Sequence, residues 1–210
     1  MRYLSLNHLV ILLLLVSCGS YPRNNDLTET EIAAKKILNP YFSDPSKDYV
    51  YKGGITLQKK EFGGLFIVKK LGPDRHRVVF TTEMGNKILD FSFNGDRFIV
   101  NYLLEEMDKK ILVNILKRDF KVLITEDFPV LRTFRKNNQE IFETENDKKK
   151  YYYLYRNSQL GKIIRTSGKK EKTEYLFSGV HDNTAKRIGI SHKDIPLHIN
   201  LFHINLKEIK

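Results

Sequence analysis

The chain has 210 residues, room for one ordinary domain and hardly two. Hydrophobic residues make up 41% and charged residues 29%, a globular composition, and 36 Lys and Arg against 25 Asp and Glu give a formal net charge of +11. A single cysteine excludes an intramolecular disulfide framework and a cysteine-cluster zinc or iron–sulfur site.

Residues 1–17 read as a signal peptide. Leu9–Val16 is an unbroken apolar run whose eight residues span about 12 Å as a helix, against about 30 Å for a bilayer core. That is too short to cross a membrane and suits the apolar region of an export signal. Leu15-Val16-Ser17-Cys18 resembles the bacterial lipobox. The resemblance implies a diacylglycerol on the Cys18 sulfur, cleavage before Cys18 and acylation of the new amine. Several acyl chains anchor stably where one does not. An exported, tethered domain meets anionic lipid or lipopolysaccharide rather than nucleic acid, so the positive charge is expected to face one of these. Gly19 follows the cysteine without an acidic neighbour, which in known families favours transport to the outer membrane. The expected location is the outer membrane, lipid-anchored and facing the periplasm.

Residues 18–26 read as a lipidated polar tether and 27–210 as the domain. Asp26 is placed to cap a short helix over Leu27–Leu38, with Ala33, Ala34, Ile37 and Leu38 on one face and Asn39-Pro40 as its stop. The period then changes to two. Tyr49–Lys60, Leu65–Leu71, Arg77–Glu83, Lys87–Phe93 and Arg97–Tyr102 read as strands with short connections, so neighbours should pair antiparallel. Leu103–Arg118 returns to helical spacing, with Leu104, Met107, Ile111, Leu112 and Ile115 on a face, and Phe120–Ile124 could add a turn. Glu140–Glu145, Lys150–Arg156, Lys162–Thr166, Glu174–Phe177, Arg187–His192 and His198–Leu206 read as strands again. The expected fold is mainly β: a half-open antiparallel barrel of about eleven strands, a helical insert plugging its open side, and a short N-terminal helix.

That layout resembles the LolA/LolB superfamily of bacterial lipoprotein carriers and acceptors. The best stretch is Pro73–Val100, PDRHRVVFTTEMGNKILDFSFNGDRFIV, with Ile195-Pro196 before the alternating His198–Leu206 as a second point of likeness. Departures are Glu83 and Met84 at the strand tip, the absence of tryptophan and a lysine-rich insert. The resemblance implies an apolar half-barrel that takes acyl chains, with a periplasmic lipoprotein carrier and outer-membrane lipid as partners. It also implies that an apolar residue on the tip between two strands pushes acyl groups into the bilayer. Met84 stands there with an adaptable thioether side chain, and Gly85 permits the tight turn. Alternation nominates Leu65, Ile67, Val79, Ile88, Phe91, Phe93 and Ile99 as cavity lining, with Met107 and Ile111 from the insert. The same residues could equally fill a core.

Such a protein needs no reactive group, no metal and no cofactor, and a monomer suffices. Lys148–Tyr153 interleaves charge and aromatics as a nucleic-acid surface might be built, but the export signal points instead to a solvated hairpin or to lysines facing lipid phosphates, with Lys69-Lys70 as a second such pair. His198 and His203 alternate onto opposite faces, and His181-Asp182 with His192 lacks the spacing of a metal site. No hydrolase or phosphate-binding motif is present. The expected activity is acceptance of lipoproteins from the carrier and their insertion in the outer membrane. The alternatives are a lipid-binding module or a structural envelope lipoprotein of the same fold.

Overall fold

The computed structural model describes residues 19–32 and 34–204. The signal peptide, Cys18, Ala33 and the end of the last predicted strand lie outside the described residues. In chain order the elements are α1 (Tyr21–Asn24), β1 (Thr28–Thr30), β2 (Lys36–Leu38), β3 (Asp48–Leu57), β4 (Lys60–Gly72), β5 (Arg75–Thr81), β6 (Lys87–Asn94) and β7 (Arg97–Leu103). A 3-10 turn over Glu105–Met107 leads to α2 (Lys110–Ile124). Then come β8 (Asp127–Pro129), β9 (Arg132–Lys136), β10 (Gln139–Asn146), β11 (Lys149–Arg156), β12 (Gln159–Ser167), β13 (Lys170–His181), β14 (Thr184–His192) and β15 (Leu197–His203).

Thirteen strands form one antiparallel sheet in the order β1-β9-β10-β11-β12-β13-β14-β15-β3-β4-β5-β6-β7, and β2 pairs with β8 in a separate ribbon. The sheet therefore has more strands than the eleven expected, and among the described residues its edges β1 and β7 do not meet. The extra strands come from turn chemistry. Asn137-Asn138, Asp147-Lys148, Asn157-Ser158 and Asp182-Asn183 each hold both residues at positive φ. That is the two-residue turn whose twist matches the flanking strands, and Asn and Asp tolerate it best. Asn137-Asn138 so brings β9 against β10, and β9 in turn takes β1 along Thr28↔Arg135 and Thr30↔Thr133.

The helix expected over Leu27–Leu38 is absent from the described residues. Its ends instead pair with distant strands: Thr28–Thr30 with β9, and Ile37 with Phe128 in the ribbon. Partners far along the chain outweigh a weak local helical preference here. Among the described residues the helical turn near the N-terminus is α1, where Ser20 caps the turn and Tyr21 and Pro22 are buried. Tyr21 and Pro22, within the segment read as a polar tether, are thus packed on the domain.

One face of the sheet holds the main core. Across β3–β4–β5–β6 the rows Tyr51–Phe66–Phe80–Leu89 and Tyr49–Val68–Val78–Phe91 are register partners, and all are buried. The insert helix lies on this face. It starts later than expected, at Lys110, and runs on to Ile124 as the Phe120–Ile124 pattern suggested. Its buried stripe is Leu112, Leu116, Asp119, Phe120 and Leu123, at the i, i+4, i+7, i+8 and i+11 spacing of a single face. Asn39, expected to stop an N-terminal helix, closes α2 instead: its Nδ2 donates to the carbonyls of Leu123 at 2.9 Å and Thr125 at 3.1 Å. Helix ends leave four carbonyls without intrahelical partners, and a buried amide supplies two of them here.

Candidate functional site

The β5–β6 connection is a short, well-bonded tip. Thr82 N–H donates to the Asn86 carbonyl at 2.8 Å, and Gly85 N–H donates to the Thr82 carbonyl at 3.0 Å. The Asn86 N–H donates to Thr82 Oγ1 at 3.1 Å. Gly85 sits at φ +87, with nothing within 4 Å of where a Cβ would stand, so backbone conformation and not space calls for glycine. Lys52 holds Glu83 at 2.7 Å. The frame leaves Met84 at the apex, 92% exposed. An apolar side chain held in water at the apex of a hydrogen-bonded turn is an unusual use of methionine, which is more often buried.

Beneath the sheet's concave face the interior is filled by α2. The Phe120 ring lies 5.1 Å from Phe66 and 6.2 Å from Phe91. Leu112, Leu116 and Leu123 complete the contact.

A polar cluster fastens α2 to the far side of the sheet. Asp119 is fully buried. Its Oδ1 accepts from Tyr175 Oη at 2.8 Å and from Arg118 at 2.8 and 3.0 Å. Its Oδ2 is 2.8 Å from His192 Nε2, whose Nδ1 faces the Leu197 carbonyl at 2.9 Å. Burial and the adjacent carboxylate hold the Tyr175 phenol well above its ordinary range, so it stays a donor. Tyr175 and His192 hold this carboxylate out of solvent, with half-buried Arg118 as its third partner, an arrangement suited to fastening the helix. Sequence reading missed the cluster. Its signal was the lone carboxylate on the apolar stripe of α2.

The convex face has its own buried carboxylate. Asp90 accepts from Arg77 Nε at 2.9 Å and from a second Arg77 nitrogen at 2.7 Å, and from Asn101 at 3.1 Å. The Arg77 hydrogen bonds hold its pKa down to about 2.

The nominated lining residues divide. Ile88, Phe91, Phe93 and Met107 are buried in the main core. Leu65, Ile67 and Val79 alternate with Phe66, Val68, Val78 and Phe80 and so fall on the convex face, half-buried beside Val50. Ile99, 38% exposed, pairs with Ser92 on that same face. Ile111 is 76% exposed because the buried stripe of α2 begins one residue later, at Leu112. These five are corrected from the concave face to solvent-facing positions. Period-two alternation fixes spacing but not which face is inward.

Two hollows of about 730 and 430 Å³ open at the surface. The larger lies along Thr28, Thr30 and the 135–140 turn, and the smaller between Lys117, Arg118, Lys121 and Asp147. Both linings are chiefly polar side chains, unlike an acyl-chain cavity. His181 pairs with exposed Asp182 at 3.2 Å, apart from the Asp119–His192 contact. Among the described residues no group of three or more His, Cys, Asp or Glu is placed to hold a metal.

The crystal structure of a LolA superfamily protein from Nitrosomonas europaea has a similar fold. It aligns with a TM-score of 0.51 over 80% of this chain and 88% of that one, at 9% identity. A DUF1329 family protein from Desulfovibrio piger aligns with a TM-score of 0.43 over 77% and 85%, at 10% identity. No family model matches the chain, and no curated protein matches it.

Proposed function

We propose that this chain is a lipid-anchored envelope protein that receives lipoproteins by their acyl chains from a periplasmic carrier and inserts them in the outer membrane. The observation that carries the reading is Met84, 92% exposed at the apex of a hydrogen-bonded tip. The similarity of fold to a LolA superfamily protein supports it. Cys18 would hold the anchor, and Met84 would enter the bilayer ahead of the cargo. The work required is an exchange of one apolar environment for another. Each methylene is worth about 0.8 kcal/mol on either side, so small differences set the direction. No group has to react, and the reading is not that of an enzyme.

The acyl chains would take the space that α2 fills, against Ile88, Phe91, Phe93 and Met107. This requires α2 to move off Phe66 and Phe91. A second reading, a structural envelope lipoprotein with a permanently filled half-barrel, is favoured by that same Phe66–Phe120–Phe91 packing.

One assay separates the two. A carrier–lipoprotein complex is mixed with liposomes and with this protein lacking its Cys18 anchor, or the Met84→Glu variant of that form, and the cargo is followed between carrier, acceptor and floated lipid. Under the acceptor reading both versions take cargo from the carrier, and only the version that keeps Met84 delivers it to lipid. If neither takes cargo while both remain folded, the acceptor reading fails for that cargo and the structural reading stands.

A further inference from the structure

We propose that the rim of the sheet carrying Met84 is a lysine-rich face that docks on an anionic bilayer, with lipid phosphates as its ligand; this rests on the membrane-anchored reading above. Successive turns of an antiparallel meander emerge at alternate ends. By that rule the β5–β6 tip, the β3–β4, β10–β11 and β12–β13 turns and the β14–β15 connection all leave at one rim. Contacts between them agree. Gln58 N–H donates to the Pro196 carbonyl at 2.8 Å, Lys193 N–H to the Lys172 carbonyl at 3.0 Å, and Lys149 Nζ to Ser167 Oγ at 3.3 Å.

The two rims differ in chemistry. Connections on the Met84 rim carry Lys59, Lys148, Lys169 and Lys193, with Asp147 and Asp194 among them, and Lys149 and Lys170 open the strands that follow; all six lysines are exposed. Among the described residues none of these six has a carboxylate within 4.0 Å. The turns on the other rim are Pro73-Asp74, Gly95-Asp96, Asn137-Asn138, Asn157-Ser158 and Asp182-Asn183, with no cation in the turns themselves, and Arg75, Arg97, Lys136 and Arg156 flank them in the strands. A turn needs only residues that tolerate its φ, and these turns meet that need without cations. The lysines therefore answer to something outside the fold.

A second observation fixes which rim meets lipid. Tyr21 is buried, its ring 4.4 Å from Tyr152, and its hydroxyl donates to Glu171 at 3.2 Å. Glu171 follows Lys170 directly, while Lys136 near the other rim holds the Asn25 carbonyl, so the segment traced back from Asn25 to Tyr21 runs toward the lysine-rich rim. Cys18 lies three residues before Tyr21, a reach of about 10 Å at full extension. A lipid on Cys18 would thus hold this rim, with Met84 on it, against the bilayer.

The test uses the full lipoprotein on vesicles of phosphatidylcholine, with and without phosphatidylglycerol, under a short pulse of amine acetylation read by mass spectrometry. A surface lysine gains enough from an anionic leaflet to slow its modification roughly fivefold. We expect that slowing at Lys148, Lys149, Lys169 and Lys170 with phosphatidylglycerol, reversed by salt, and none at Lys47 or Lys186. Changing those four rim lysines to Gln should also remove the protection of Lys59 and Lys193. Equal rates with both lipids overturn the proposal. So does protection that appears only when a carrier complex is added, which assigns the rim to a protein partner. No cargo is needed, so the outcomes separate: delivery with an unprotected rim sinks this inference alone, and a protected rim without delivery sinks the acceptor reading alone.

Discussion

The underside of α2 and the 82–86 tip spend their side chains in opposite ways. Under α2 every large group is buried and every polar atom of Asp119 is matched, so each residue contributes to stability. At the tip the backbone carries the order, and the apical side chain is left in water. A residue held rigidly yet bonded to nothing is free to be selected for what it touches next.

Substitutions should separate the two regions, from several kcal/mol down to almost nothing. Asp119→Ala strips buried Tyr175 and His192 and half-buried Arg118 of their acceptor, and a loss of about 3–5 kcal/mol is expected in urea unfolding. Phe120→Ala empties the contact with Phe66 and Phe91, for about 3–5 kcal/mol by the same measurement. Asn39→Ala leaves buried helix-end carbonyls unmatched, for about 1–3 kcal/mol. Asp90 supplies a pH-dependent contribution. Its folded pKa, about 2, lies below its usual 3.8, so its stabilisation is full above about pH 4 and fades as pH falls toward 2. Because Arg77 is half in solvent, that contribution is on the order of 1–2 kcal/mol. Asp90→Asn should flatten the stability profile in that window, and thermal melts across pH 2–5 would read it. Met84→Glu should leave stability within about 0.5 kcal/mol. A large loss of stability from Met84→Glu would erase the contrast between the regions.

Much of the sheet was legible because turn residues and period-two alternation are local signals. The strand cores of β3 to β7 and β10 to β14 fall close to where alternation placed them. What escaped has a common cause. Val50, Ile67 and Val79 are apolar on the convex face, so both faces of β3–β5 are apolar in sequence and alternation could not choose between them. The β1, β2 and β9 pairings depend on partners far along the chain, and Asn39 reaches α2 across more than eighty residues. Of the nominated site, Met84 and Gly85 stand on an exposed turn as their local sequence suggested. Asp119 with His192 joins residues 73 apart, with no motif to announce the pairing.

The two free edges, β1 and β7, have a mechanical consequence. In a closed barrel a ring of ladder hydrogen bonds acts as a hoop and fixes the girth. In this sheet no ladder spans the gap among the described residues, so girth is set by α2, wedged between the walls and fastened at Asp119. The α2 contacts are side-chain contacts, so their loss would remove that brace without breaking any ladder of the thirteen-stranded sheet.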